Sequence, residues 1–169
     1  VVGASWTPYD GHANPLNLLH ALHQAFTGLG GRYVPNAGVT GASAAPHDFR
    51  VETPAGAFQA GVIVLAAGLG NAALAPMFGL SAPVRPQRGQ ILVTERAGEV
   101  LPMPTTTIRQ TPEGTLMIGD SHEEAGFDLS QKADVMAGIA DRAVRCFPWI
   151  ARLNIVRAWS ALRVMAPDG

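Results

Sequence analysis

The chain has 169 residues, with 12 basic side chains against 13 acidic and a formal charge of −1. That balance leaves no electrostatic footprint for nucleic acid or an anionic membrane surface. A hydrophobic content of 47% excludes disorder, and nineteen glycines with thirteen prolines indicate many tight turns rather than a helical bundle. The expected partner is a small molecule or another protein surface, and the length allows one domain or two small lobes.

Asp10-Gly11-His12-Ala13-Asn14-Pro15 reads as a turn into a helix, with Asn14 as cap and Pro15 at the first helical position, where its missing N–H costs nothing. A helix from Pro15 to Gly28 is predicted, its apolar face formed by Leu18, Leu19, Leu22 and Phe26. Gly28 to Gly31 end it, and Arg32-Tyr33-Val34 is expected to begin a strand. Phe49–Thr53 and Ala57–Ala60 alternate about Pro54-Ala55-Gly56 and predict a hairpin. Gly61 to Ala67 is then an unbroken apolar run, the pattern of a strand buried on both faces. Gly68 and Gly70 stop it, with a short helix from Asn71. Strand, glycine turn and helix start in that order predict a ligand-holding edge.

Beyond Ser81 the prolines multiply and the predicted strands shorten: Gly89–Thr94, Thr105–Gln110 and Thr115–Gly119, the last two joined by Pro112-Glu113-Gly114 into an antiparallel sheet. A helix from Ser130, its expected N-cap, to Phe147 follows, with Val135, Ile139, Ala143 and Phe147 facing inward. Ile155–Arg163 is the last strand. The fold class expected is α+β. The longest apolar stretch, Ala60 to Met77, is interrupted by Gly68, Gly70, Asn71 and Pro76 and fails as a membrane-crossing helix. Cys146, the single cysteine, reads as a buried thiol. Nothing demands an oxidising compartment, so the cytoplasm is the expected setting.

Few motifs carry chemistry unaided. His20 and His23 lie three apart on a helix but lack further ligands for a metal. Asp120 to Glu124 is rich in acid–base groups and reads more as a solvated loop than a substrate-facing one. Gly-x-Ser-x-Gly, Gly-x-Gly-x-x-Gly and Walker patterns are missing, and the residues supply no catalytic candidate. Arg163 closes an apolar strand beside Leu162, where an unpaired guanidinium is costly; it needs a bidentate anion, either a protein carboxylate or a ligand's. Arg109, midway along its strand, poses the same alternatives. Gly89, in Arg88-Gly89-Gln90, marks a close approach to the backbone by protein or ligand.

Taken in order and spacing, Asp10–Pro15, Val62–Gly68, Pro86–Gln90, Ile118–Ser121, Gly126–Asp128 and Trp159–Arg163 running on to Pro167–Gly169 resemble the D-amino-acid oxidase family of FAD-dependent oxidoreductases. Ile108-Arg109-Gln110 and Gly119-Asp120-Ser121 resemble the group of glycine oxidase and the subunits of D-hydroxyproline dehydrogenase, opine oxidase and hydrogen cyanide synthase. The resemblance implies an interior piece of a two-lobed flavoprotein. Residues 1–80 would be part of the FAD-binding lobe without its glycine-rich motif, and residues 81–169 a truncated substrate lobe. It implies FAD contacts at Val39, Ala66, Ala67 and Gly68, with Gly89 counted among them, and a substrate carboxylate held by Arg163, with Arg109 as a second substrate contact. The implied reaction is oxidation of a C–N bond in a small amino or imino acid by hydride transfer to flavin, carried by the cofactor rather than by a strong protein base. Other subunits or a second copy would be possible partners. The alternatives are a non-catalytic ligand- or subunit-binding module of the same fold, and an NAD-dependent dehydrogenase.

Overall fold

The structure, a computed structural model, describes residues 3–168. It forms two compact units. The first contains residues 3–18 and Pro86–Arg163, and the second Leu19–Arg85 and residues 164–168.

Chain order begins with α1 (Pro15–Gly28), which starts as the sequence dictates: Asn14 Oδ1 accepts the free N–H groups of Leu16 and Asn17 at 3.0 and 3.3 Å. In the second unit, β1 (Gly41–Ala45), β2 (Asp48–Thr53) and β3 (Gly56–Ala60) form an antiparallel meander in that order. The expected hairpin is β2–β3. Thr53 fixes its turn, donating from its hydroxyl to Gly56 O at 2.8 Å and accepting the Ala55 N–H. β1, Gly-Ala-Ser-Ala-Ala, carries no alternation by which the sequence announces a strand.

Two expected strands do not form. Residues 32–34 have no ladder partner among the described residues. Tyr33 instead packs edge-on against the His23 ring at 4.8 Å, and Asn36 turns the chain at φ 55°. The run 61–67 is likewise outside any strand. A strand buried on both faces needs a paired neighbour to satisfy its backbone, and the meander ends at β3. Val62 and Val64 are accordingly 76% and 81% exposed rather than buried. The Gly68–Gly70 turn leads as expected into a short helix, α2 (Asn71–Leu74).

In the first unit, β4 (Arg85–Arg96), β5 (Ile108–Gln110), β6 (Thr115–Ile118) and β7 (Ile155–Met165) make a four-stranded sheet in the order β5-β6-β4-β7. β4 and β5 each run antiparallel to β6. Register shifts between Val93 and Arg96, where Thr94, fully buried, fills the gap: its hydroxyl accepts the Leu116 N–H at 3.0 Å and donates to Glu95 O at 2.7 Å. Helix α3 (Ala133–Cys146) packs its predicted face on this sheet. Ile139 and Ala143 join Leu92, Ile108, Leu116, Ile118 and Ile150 in the core, with Val135 and Phe147 partly buried around them.

Three local features depart from the sequence pattern. Ser130 does not cap α3, which starts after Lys132; Asp128 holds it instead, accepting both its N–H and its hydroxyl at 2.7 Å. Cys146 is exposed, because Phe147 takes the inward place at the helix end. The segment Asp120–Glu124 is not a free solvated loop: Arg88 and Glu123 exchange both backbone bonds at 2.9 Å and tie it to β4. Helices and antiparallel sheets together give the α+β class that the sequence predicts.

Candidate functional site

The site is assembled on β4, where Gln87, Arg88, Gly89 and Gln90 are consecutively buried. A charged side chain at such a position must be fully compensated, and Arg88 is. It donates to Glu123 Oε2 at 2.7 Å and to Asp128 Oδ2 at 2.8 Å. Glu123 Oε1 in turn accepts from Gln90 Nε2 at 2.9 Å and Ser121 Oγ at 2.8 Å, and Ser121 Oγ accepts the Gln90 N–H. Burial pushes the Glu123 carboxyl up, but the bonds from Arg88, Gln90 and Ser121 outweigh it and hold the group at about 2. Asp128 is also lowered to about 2, first by the Ser130 N–H and hydroxyl and then by Arg88. This network fixes the segment after β6 against β4.

That segment presents Asp120, Ser121 and His122 beside Arg163 of β7. Arg163 Nη1 donates to the Ser121 carbonyl at 2.7 Å, whereas Nη2 reaches Asp120 Oδ2 only at 3.4 Å. Its guanidinium lies against Gly89: a Cβ there would sit 2.5 Å from Nη1 and 2.7 Å from Cζ and Nη2. The close approach that Gly89 signals is thus made by Arg163. The resemblance implies a cofactor contact at Gly89, whose Cβ side faces the guanidinium. Asp120 is held from three directions. Its carbonyl accepts from Arg142 of α3 at 2.6 Å, and its Oδ2 lies 2.8 Å from His122 Nε2 and accepts from Arg163 Nη2 at 3.4 Å. His122 Nδ1 meets Gln87 Oε1 at 2.9 Å, and Glu124 Oε1 accepts Gln87 Nε2 at 2.8 Å, which orients that amide.

A cavity of 750 Å³ opens on the other side of Asp120, lined by Trp6, Asp10, His12, Arg109 and Met117 among others. Arg109 Nη1 lies 3.4 Å from His12 Nδ1 and its Nη2 contacts Met117 Sδ; among the described residues it has no ion pair. Arg163 does not line this cavity, and Asp120 is the residue the two arginine environments share.

The remaining predicted contacts belong to the second unit. Val39 is half-buried ahead of β1, and Ala66 and Ala67 are exposed. Gly68 has φ +56°, a conformation that favours glycine. The Ala67 N–H is already accepted by Asn71 Oδ1 at 3.1 Å, so what this turn offers a ligand is an open edge of small residues rather than that donor. His20 and His23 belong to no cluster able to hold a metal among the described residues. Sequence reasoning missed Asp120, His122, Gln87 and Arg142 as companions of Arg163. The one available signal was the density of acid–base side chains directly after a strand.

The first unit thus sets a glycine-backed arginine on its sheet, with one helix packed against that sheet. The sequence profile of the family described as FAD dependent oxidoreductase (DAO) matches residues 1–169, and the chain belongs to that family. It is 44% identical over its whole length to an opine oxidase subunit of Agrobacterium tumefaciens (strain Ach5), covering 46% of that protein. It is also 34% identical to the HcnC subunit of hydrogen cyanide synthase from Pseudomonas aeruginosa, over 94% of this chain and 40% of the relative. The crystal structure of L-proline dehydrogenase from P. horikoshii superposes with a TM-score of 0.88 at 21% identity, over 96% of this chain and 47% of that one, and shows the same fold. The chain spans about half the length of the curated relatives it matches. No helix among the described residues is long and apolar enough to cross a membrane.

Proposed function

We propose that this chain contributes the substrate-binding part of a flavoprotein that oxidises the C–N bond of a small amino or imino acid. The observation that carries the reading is the state of Arg163. Its side chain is 35% exposed, its nearest carboxylate is 3.4 Å away through a single oxygen, and its firm bond goes to a backbone carbonyl. A guanidinium so placed keeps N–H donors for a second, bidentate acceptor. A substrate α-carboxylate supplies that acceptor, Ser121 O and Gly89 fix the plane of the fork, and the α-carbon is oriented as a consequence. Arg109 contributes a second positive charge at the neighbouring cavity, as a further substrate contact.

FAD fits the family and, in part, these residues. The exposed Ala66-Ala67 edge and left-handed Gly68 leave room for a flat ligand, with Val39 as a further contact, and Gly89, whose Cβ side is taken by Arg163, is kept as a backbone contact. When bound, FAD would accept the hydride equivalent from the carbon bearing nitrogen. The protein's own residues bind, orient and exclude water, which fits a site without a dedicated strong base. The relatives' names include subunits, and association with other subunits or a second copy belongs to the same proposal.

The test uses the full-length protein with glycine, sarcosine, D-alanine and D-proline under anaerobic conditions. Bleaching of the visible flavin band by at least one of them is expected, and Arg163→Met is expected to raise its KM about 30-fold or more, the lower end of what losing a charge-assisted carboxylate contact costs. A flavin band that none of them bleaches, with the carboxylic acids still binding, would favour the non-catalytic binding module. An unchanged KM in Arg163→Met would overturn the assignment of that residue.

A further inference from the structure

The same oxygen, Asp120 Oδ2, faces two side chains at unequal distances: 2.8 Å from His122 Nε2 and 3.4 Å from Arg163 Nη2. Asp120 is the only carboxylate that pairs with Arg163 among the described residues. Left alone beside a guanidinium, a carboxylate closes into a two-bond fork, and that geometry would occupy the N–H edge a substrate carboxylate needs. The distances show Asp120 drawn toward the imidazole instead. Gln87 Oε1 faces His122 Nδ1 and Glu124 fixes the Gln87 amide, so the ring meets an acceptor at each nitrogen and bonds both together only as the imidazolium, with an N–H at each, while Arg142 pins the Asp120 carbonyl. His122 is 60% exposed, so it contributes little to packing.

We propose that His122 is a positioning residue for the anion site: by holding Asp120 Oδ2 it prevents that carboxylate from closing onto Arg163 and keeps the guanidinium open to the substrate's carboxylate. This rests on the reading of Arg163 as the carboxylate anchor. His122 does its work through Asp120 and takes no proton from the substrate. Two consequences separate this role from a structural one. Removing His122 should weaken carboxylate binding, and removing the charge of Asp120 should undo that loss, because an Asn side chain cannot neutralise Arg163.

The experiment titrates acetate, a carboxylate with no amine, into the full-length holoprotein and follows the flavin spectrum and the heat of binding. His122→Ala is expected to weaken acetate about tenfold, Asp120→Asn to tighten it about threefold or more, and the double variant to bind at least as tightly as wild type. In turnover of whichever of the four amino acids bleaches the flavin, His122→Ala is expected to raise KM with kcat within about twofold. Equal acetate affinity in wild type and His122→Ala, or a double variant as weak as His122→Ala, would overturn the proposal. Weaker binding in Asp120→Asn alone would do the same even if the other variants failed to fold. An Arg163→Met control that binds acetate like wild type would instead strike at the anchor itself, which keeps the two failures distinct.

Discussion

Arg88 is 4% exposed and carries its charge against Glu123 and Asp128, with Gln90 and Ser121 closing the remaining bonds of Glu123. Removing the Glu123 charge leaves the buried cation with Asp128 alone, so Glu123→Gln is expected to lower the melting temperature of the full-length protein by on the order of 5 °C. Acid acts on the same group. Because the Glu123 carboxyl is depressed from 4.5 to about 2 in the folded chain, the unfolded chain takes up the proton first as pH falls. Its stabilising contribution is therefore complete above about pH 4.5 and is lost progressively down to about pH 2. Asp128, lowered from 3.8 to about 2, adds to the loss in the same range. Urea denaturation between pH 5 and pH 2.5 should show a shallower decline for Glu123→Gln than for wild type, and parallel curves would contradict the assignment. Only part of this was written in the residues: Gly89, in Arg88-Gly89-Gln90, marked a close approach by protein or ligand, while the charge of Arg88 carried no signal of its own. Which acid answered was not legible, because the pairing joins positions 35 and 40 residues apart.

At the scale of elements, the sheet β5-β6-β4-β7 depends on a hydroxyl at its irregular point. Thr94→Val keeps the shape but leaves the Leu116 N–H without its acceptor, and the expected cost is about 1–3 kcal/mol, measurable by chemical denaturation. Ile139→Ala, at the centre of the α3–sheet core, is expected to cost about 2–5 kcal/mol. The legible elements share local signals: α3 and the β2–β3 hairpin carry patterns that their packing and turn chemistry repeat, and α1 is announced by its Asn14 cap although its apolar face stays half exposed. The run 61–67 was not legible. Its composition predicts burial, but burial is a property of neighbours, and none pairs with it among the described residues. β1 failed in the opposite sense, a strand of small residues defined by the ladder from β2 alone.

For the molecule as a whole, the exposed apolar side chains are the notable surplus. Leu18, Leu19, Leu22 and Phe26 on α1 are about half exposed, and Val62 and Val64 more so. Surfaces of this kind favour association, so the 169-residue chain alone is expected to sediment as oligomers and to bind a hydrophobic dye, without retaining FAD. A monodisperse, yellow, monomeric preparation would contradict both expectations. The chain covers 46% of its opine oxidase relative, and the turnover measurements accordingly belong to the full-length protein. One consequence reaches beyond any single assay. At position 89 an added methyl collides with the tip of a long, swivelling side chain and not with backbone, so alanine or serine there would be absorbed by swinging the arginine aside. Libraries screened for expression or heat tolerance would pass such variants unnoticed, and if Arg163 anchors the substrate as proposed, a screen scored on catalysis by the full-length protein is the one expected to reject them.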